Sequence, residues 1–254
     1  MNLNNIGNQL LFTTVQIEGN TKNGMTTGTG FIFTREVPDQ NAVEPFLITA
    51  FHVVEPIQQG SIRFTMAKKD EPNLDKTYTA SFDSTFFKNS KLGLLDIAAV
   101  KIGPFLNSFN DKPDKIFYRT IDSSMIPTQQ IINDLQAIET LTFIGYPAGL
   151  RDKSHNLPII RQGISSTPLW NDYEDEPKFL IDGGVYPGSS GSPVFIYNEG
   201  SFGTTNGIVV GTRLHFVGVI TDTNVAGSTY LQLGIAVKAS TISDELNAKY
   251  PIPS

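Results

Sequence analysis

The sequence predicts an all-β protein built from short antiparallel strands, arranged as barrels or as a sandwich. Three observations carry that expectation. Runs rich in Val, Ile, Thr, Phe and Tyr recur along nearly the whole chain. Gly, Asn, Asp and Pro separate them at short intervals. Only two segments have a helical pattern, residues 128–137 and 241–249, which a Ser or Thr could cap.

The first strands are expected in LLFTTVQIE (10–18), TGTGFIFT (27–34), PFLITA (45–50), SIRFTMA (61–67), TYTASF (77–82) and IAAVKIG (97–103). The helical segment 128–137, following DSSMIP, is the natural divide, so residues 8–125 and 126–254 are expected to form two halves. Beyond it come TLTFIGYP (140–147), PIIRQGISS (158–166), KFLIDGG (178–184) and PVFIYN (193–198). The last candidates are GIVVGTR (207–213), HFVGVITD (215–222) and YLQLGIAVKA (230–239). About a dozen strands with short connections suit antiparallel barrels or sandwiches, and no internal repeat or low-complexity linker interrupts them.

Composition narrows the function. With 254 residues, 39% hydrophobic and 17% charged, the chain has the make-up of an ordinary globular protein. The net charge of −6, with no basic run longer than Lys68-Lys69, argues against nucleic acid as a partner. Zero cysteines exclude a disulfide framework, a zinc–thiolate site and a cysteine nucleophile. No stretch approaches the ~18 apolar residues of a membrane-spanning helix, and the amino-terminal segment MNLNNIGNQLLFTTVQIEGN lacks the pattern of a secretory leader. A cytoplasmic location is therefore expected, with secretion after loss of a leader as the alternative. No pair of histidines or carboxylates has metal-ligand spacing, so neither metal nor other cofactor is expected.

The chemistry concentrates in three places. In GGVYPGSSGSPVF (183–195) every residue from Gly188 to Ser192 is Gly or Ser, just before an apolar strand. Such a stretch suits a backbone that bends sharply and comes close to something else. His52 ends the apolar run LITAFHVVE, and Asp96 sits among apolar residues in LGLLDIAAVKI. Buried there, its carboxylate would need a hydrogen-bonding partner. Each has an ordinary structural explanation when taken singly: a core histidine, an aspartate capping a turn, a flexible loop.

In that order, TAFHVV, DIAAVKI and GSSGSP resemble the TAxH, DIAL and GDSGGP motifs of the chymotrypsin-like serine proteases. GTGFIF, TFIGYPAG and IRQGISS add similarity to the bacterial branch with HtrA-type proteases and glutamyl endopeptidases. The resemblance spans roughly residues 10 to 245. It implies two Greek-key β-barrels, carrying His52 and Asp96 in the first and Ser190 in the second, with the active site between them and a short helix at the end. It also implies a serine endopeptidase acting through a His52/Asp96/Ser190 triad and an acyl-enzyme, with an oxyanion hole from the backbone N–H groups of Gly188 and Ser190. By the same analogy the Thr221 hydroxyl contacts Asp96, and Thr221, Asp222 and Thr223 pair with an extended substrate.

Gly184, Val185, Tyr186 and Thr223 are expected to line the primary pocket, where no charge dictates a basic preference. A small or medium apolar side chain is the expected substrate residue. His155 and His215 are expected to lie outside the chemistry, on a solvated loop and a barrel rim. Ser189 stands where digestive relatives carry an aspartate that pairs with a new N-terminal amine. Local hydrogen bonds, a substrate or a partner protein are expected to order the oxyanion loop instead. Two rival classes compete with this reading. An α/β-hydrolase esterase needs G-x-S-x-G, and Ser192 replaces its last glycine. A protease fold retained only as a binding or regulatory module is the other. The expected partners are protein or peptide substrates and an activating protein, with no nucleic acid or membrane.

Overall fold

Both faces of the central strands are buried, and that explains why GFIFT and PFLIT read as unbroken apolar runs rather than alternating ones. A computed structural model describes residues 1–38, 40, 42–204, 207–226 and 229–252. The short helix α1 (Ile6–Leu10), not foreseen from sequence, opens the chain and is capped by the Asn5 side chain, which accepts from the Asn8 N–H. Then follow β1 (Thr14–Thr21), β2 (Gly24–Val37), β3 (Ala42–Ala50), α2 (Phe51–Val54), β4 (Gln59–Lys68), β5 (Glu71–Asp83), β6 (Ile97–Lys101), α3 (Gly103–Asn107), β7 (Ile116–Phe117) and β8 (Ile121–Asp122). The second half contains α4 (Gln129–Asn133), β9 (Thr140–Gly145), β10 (Ile159–Ser165), β11 (Lys178–Asp182), β12 (Pro193–Asn198), β13 (Ser201–Thr204), β14 (Gly207–Val210), β15 (Arg213–Ala226), β16 (Thr229–Lys238) and α5 (Ala239–Lys249).

The first eight strands form one sheet in the order β5-β4-β1-β2-β3-β6, with β7 on β4 and β8 on β2. Six later strands close into a barrel, β10-β11-β16-β15-β12-β9, and β13 and β14 make a separate hairpin. The fold is all-β in two barrel-like halves, with a short helix near the end.

Side-chain alternation along β2 and β3 decides how the halves meet. Ile32 and Leu47 point into the core of the first sheet, beside Ile17, Phe64 and Val53. Their neighbours Phe31, Phe33, Phe46 and Ile48 point the other way and pack with Ile144, Phe195, Phe216 and Val219 of the barrel and with Ile242 and Leu246 of α5. Phe31 meets Phe216 edge-on at 5.5 Å between ring centres. A third core, with Leu141, Phe143, Phe179, Ile181 and Ile220, fills the barrel itself. Removing one such phenylalanine costs about 3–5 kcal/mol, so the two halves are fixed firmly against each other.

Two helix expectations change. The helix at 128–137 stops at Asn133, because Glu139 Oε1 accepts the Gln136 N–H at 3.0 Å and turns the chain into β9; Thr128 does cap it, accepting from the Ile131 N–H. The last helix starts earlier, at Ala239, and its N-cap is Lys238, with no side-chain cap in place of the expected Ser or Thr. Of the expected second half, residues 205–206, 227–228 and 253–254 lie outside the described residues.

Candidate active site

Strand pairing brings His52 and Asp96 together although 44 residues separate them. Ala50, the last residue of β3, pairs with Ile97, the first of β6. The chain turns into α2 on one side of that pair and enters from Asp96 on the other. The Asp96 carboxylate accepts twice from His52: its Oδ1 from the backbone N–H at 2.9 Å and its Oδ2 from ring Nδ1 at 2.6 Å. A carboxylate only accepts, so the proton belongs on Nδ1 and Nε2 is left as the free base. The bond to Asp96 pushes the imidazole above its ordinary range; partial burial opposes this, and the charges of Asp96 and Asp222 reinforce it. The pair is not as enclosed as the apolar flanks of Asp96 suggest: the side chains are 50% and 36% exposed.

Ser190 lies in the loop that leaves β11 and enters β12. Its hydroxyl donates to the Thr221 carbonyl at 3.5 Å and, among the described residues, makes no hydrogen bond to His52. A contact that long is weak for a hydroxyl, whose usual spacing is about 2.7–2.8 Å. The loop around it is tightly specified. Gly188 has φ +88°, and a Cβ there would sit 2.6 Å from the Tyr146 carbonyl oxygen and 2.8 Å from the Ala148 nitrogen. Gly191 has φ +90°, and a Cβ there would overlap the Thr29 carbonyl. Among the described residues neither the Gly188 N–H nor the Ser190 N–H donates to a protein acceptor.

The remaining expected site residues are placed unevenly. Gly184, with φ +59°, and Tyr186, 42% exposed, flank the loop, whereas Val185 is buried in the barrel core and fills the space opposite Gly234. Among the described residues the Thr221 hydroxyl makes no hydrogen bond to Asp96. A register shift between Ile220 and Asp222 turns it toward β16, where it donates to the Ile235 carbonyl at 3.5 Å. Asp222 is exposed, and its Oδ1 accepts the Thr223 N–H at 2.7 Å. His155 pairs with Asp152 at 2.7 Å on an exposed loop. His215 is half-buried, and burial followed by the charge of Arg213 pushes it below its ordinary range. Among the described residues no group of three or more His, Asp or Glu could hold a metal.

Three further residues at the candidate site are not singled out by sequence reasoning. Thr29 bridges from β2 to the Ser190 loop, and Ala148 offers its N–H to the Pro187 carbonyl at 2.6 Å. Arg161 donates to the Gly183 carbonyl at 2.8 Å while lying over the rings of Phe143 and Tyr186. The GTGFIF motif marked the place of Thr29, but a solitary Arg in a strand and an Ala in a turn carry no signal of their own.

A double β-barrel-like frame, a carboxylate-held imidazole and a glycine-pinned serine loop are the parts of a trypsin-like peptidase. The chain belongs to the trypsin-like peptidase domain family, whose model matches residues 28–202. No curated protein matches it. Among solved structures it is similar to the HtrA-type protease AlgW with a tripeptide, at 15% identity and a TM-score of 0.52, over 96% of this chain and 62% of that one. It is also similar to the serine endoprotease from Yersinia pestis, at 16% identity and a TM-score of 0.53, over 95% of this chain and 64% of that one. Such likeness establishes the fold, and the chain spans about three fifths of the length of these structures.

Proposed function

We propose that the chain is a serine endopeptidase that cleaves protein or peptide substrates through His52, Asp96 and Ser190 by way of an acyl-enzyme. The observation that carries this reading is the double grip of Asp96 on His52, at 2.9 and 2.6 Å, which fixes the ring with Nε2 as the base. A serine hydroxyl is a weak nucleophile until a neighbouring base removes its proton. In the proposed reaction the Ser190 hydroxyl leaves Thr221 by rotation about one side-chain bond. Its proton passes to Nε2 as Oγ adds to the substrate carbonyl. The imidazolium gives that proton to the leaving amine, and water repeats the sequence to release the acid. Asp96 stabilises the cation throughout. The developing oxyanion is received by the N–H groups of Gly188 and Ser190.

An extended substrate has a place to lie. β12 pairs with β15 as far as Val219, and Ile220 is bonded to the Gly191–Ser192 backbone, so the edge of β15 offered to an added strand begins at Thr221. Tyr186 and Gly184 are proposed to border the adjoining primary pocket. With Val185 buried in the barrel core behind them, the proposed preference is for a small or medium apolar side chain.

One observation favours a second reading, a catalytically silent binding module: the Ser190 hydroxyl bonds to Thr221 rather than His52. Free enzymes often hold such bonds loosely and tighten them on binding substrate, and so the first reading stands. Burst kinetics on an activated ester, with mass detection of the acid-quenched acyl-enzyme, separate the two. A stoichiometric burst on Ser190 supports the peptidase; turnover and acylation both absent under peptide and ester challenge refute it.

A further inference from the structure

We propose that Thr29 is the positioning residue of the oxyanion hole: from the opposite half of the molecule, its hydroxyl and backbone lock the serine loop in its working conformation. The inference rests on the serine peptidase reading and extends it to how the loop is ordered without an acid at position 189.

Each peptide plane around the hole is pinned by its carbonyl or its N–H. The hydroxyl of Thr29, fully buried, donates to the Gly188 carbonyl at 3.1 Å and accepts the Tyr146 N–H at 3.0 Å. Its backbone N–H donates to the Ser190 carbonyl at 2.9 Å, and its own carbonyl accepts the Thr49 hydroxyl at 2.7 Å. By holding Tyr146, it also fixes the turn that presents Ala148, which captures the Pro187 carbonyl at 2.6 Å. In a trans peptide the C=O and N–H point in opposite directions. Drawing the Pro187 carbonyl toward Ala148 therefore aims the Gly188 N–H the other way. The Ser189 carbonyl, held by the Ser192 N–H at 2.9 Å, aims the Ser190 N–H likewise. Among the described residues neither of these two N–H groups donates to a protein acceptor.

Ala148 shows that the turn is built for this contact. It is a non-glycine residue with φ +50° and ψ +28°, a conformation alanine adopts only when its surroundings enforce it. Gly145 belongs to the same assembly, since a Cβ there would overlap the Thr29 and Ser192 hydroxyls. A neutral threonine at the centre, in place of an amine and a carboxylate, makes the order of the loop independent of their titration.

Thr29→Val keeps the shape and deletes both hydroxyl bonds, whereas Thr29→Ser keeps them. Misplacing an oxyanion donor by a fraction of an ångström predicts a loss in kcat of about 10–100-fold for Thr29→Val, with KM changed by no more than about threefold. The affinity for a peptide aldehyde, whose hemiacetal oxygen occupies the hole, is expected to fall in parallel. Thr29→Ser is expected to recover kcat to within a few-fold, and the acid limb of the pH profile to stay in place in both. Should Thr29→Val fail to fold, Thr29→Ala serves, because it deletes both hydroxyl bonds without setting a methyl group against the two polar groups. A folded Thr29→Val or Thr29→Ala with wild-type kcat and aldehyde affinity would overturn the inference. A wild-type chain inert toward peptides, esters and fluorophosphonate would overturn the peptidase reading beneath it, and the inference with it.

Discussion

Gly188→Ala tests the geometry of the site at its tightest point. The glycine occupies φ +88°, where an L-residue is strained by about 1–2 kcal/mol. Its new Cβ would stand 2.6 Å from the Tyr146 carbonyl and 2.8 Å from the Ala148 nitrogen, both backbone atoms with no flexible end to move aside. The loop must therefore shift, and the N–H of residue 188 is the group displaced. Losing one oxyanion donor costs about 10²–10³ in kcat, or roughly 3–4 kcal/mol of transition-state stabilisation. The strain alone lowers Tm by roughly 2–8 °C in a domain of this size. Steady-state hydrolysis of a peptide substrate gives the first quantity and thermal denaturation the second. A folded Gly188→Ala variant with wild-type kcat would refute the argument, because no strained L-residue could hold that N–H where the glycine does.

Further outcomes follow from the charges. Activity is expected to rise with pH through a limb above the ordinary imidazole value of about 6.5, since only neutral His52 is a base and Asp96 raises its titration. Asp222→Asn removes a lesser raising influence and should move that limb to lower pH, which a kcat/KM profile reads directly. His52 also links pH to stability: its folded value lies above its unfolded one, so its contribution is full below the unfolded value and lost as pH rises through the folded value. The stability gap between the wild type and His52→Gln in urea should accordingly shrink with rising pH. Arg213 and Glu139 form a buried pair at 2.6 Å, so Arg213→Met strands a carboxylate and should cost about 3–5 kcal/mol in urea unfolding. Replacing both partners with apolar residues should restore much of that loss.

What the sequence made legible had local signatures. Strands buried on both faces, such as β2 and β3, announce themselves by composition. The two-residue strands β7 and β8 and the five-residue α1 are too short for any periodicity to show. The hairpin strand β13 reads as a polar, glycine-bearing loop. In the candidate site, His52, Asp96 and Ser190 stand out in sequence because each sits in a compact motif. Thr29 acts on Gly188 from 159 residues away, a relation only the packed core between the halves creates. The Thr221 hydroxyl faces the Ile235 carbonyl because of a bulge that leaves no mark in the sequence. Ala148 adopts a glycine-like conformation that its own propensity disfavours, so tertiary contacts alone determine it.

The central claim, that Ser190 is a nucleophile activated by His52, is tested most directly by intact-mass analysis after treatment with a fluorophosphonate. The account predicts a single adduct on the wild-type chain, mapped by peptide sequencing to Ser190. Ser190→Ala should give no adduct, and His52→Ala should label at least about a thousandfold more slowly. An adduct retained at full rate in Ser190→Ala, or peptide hydrolysis by a wild-type chain that never labels, would contradict it.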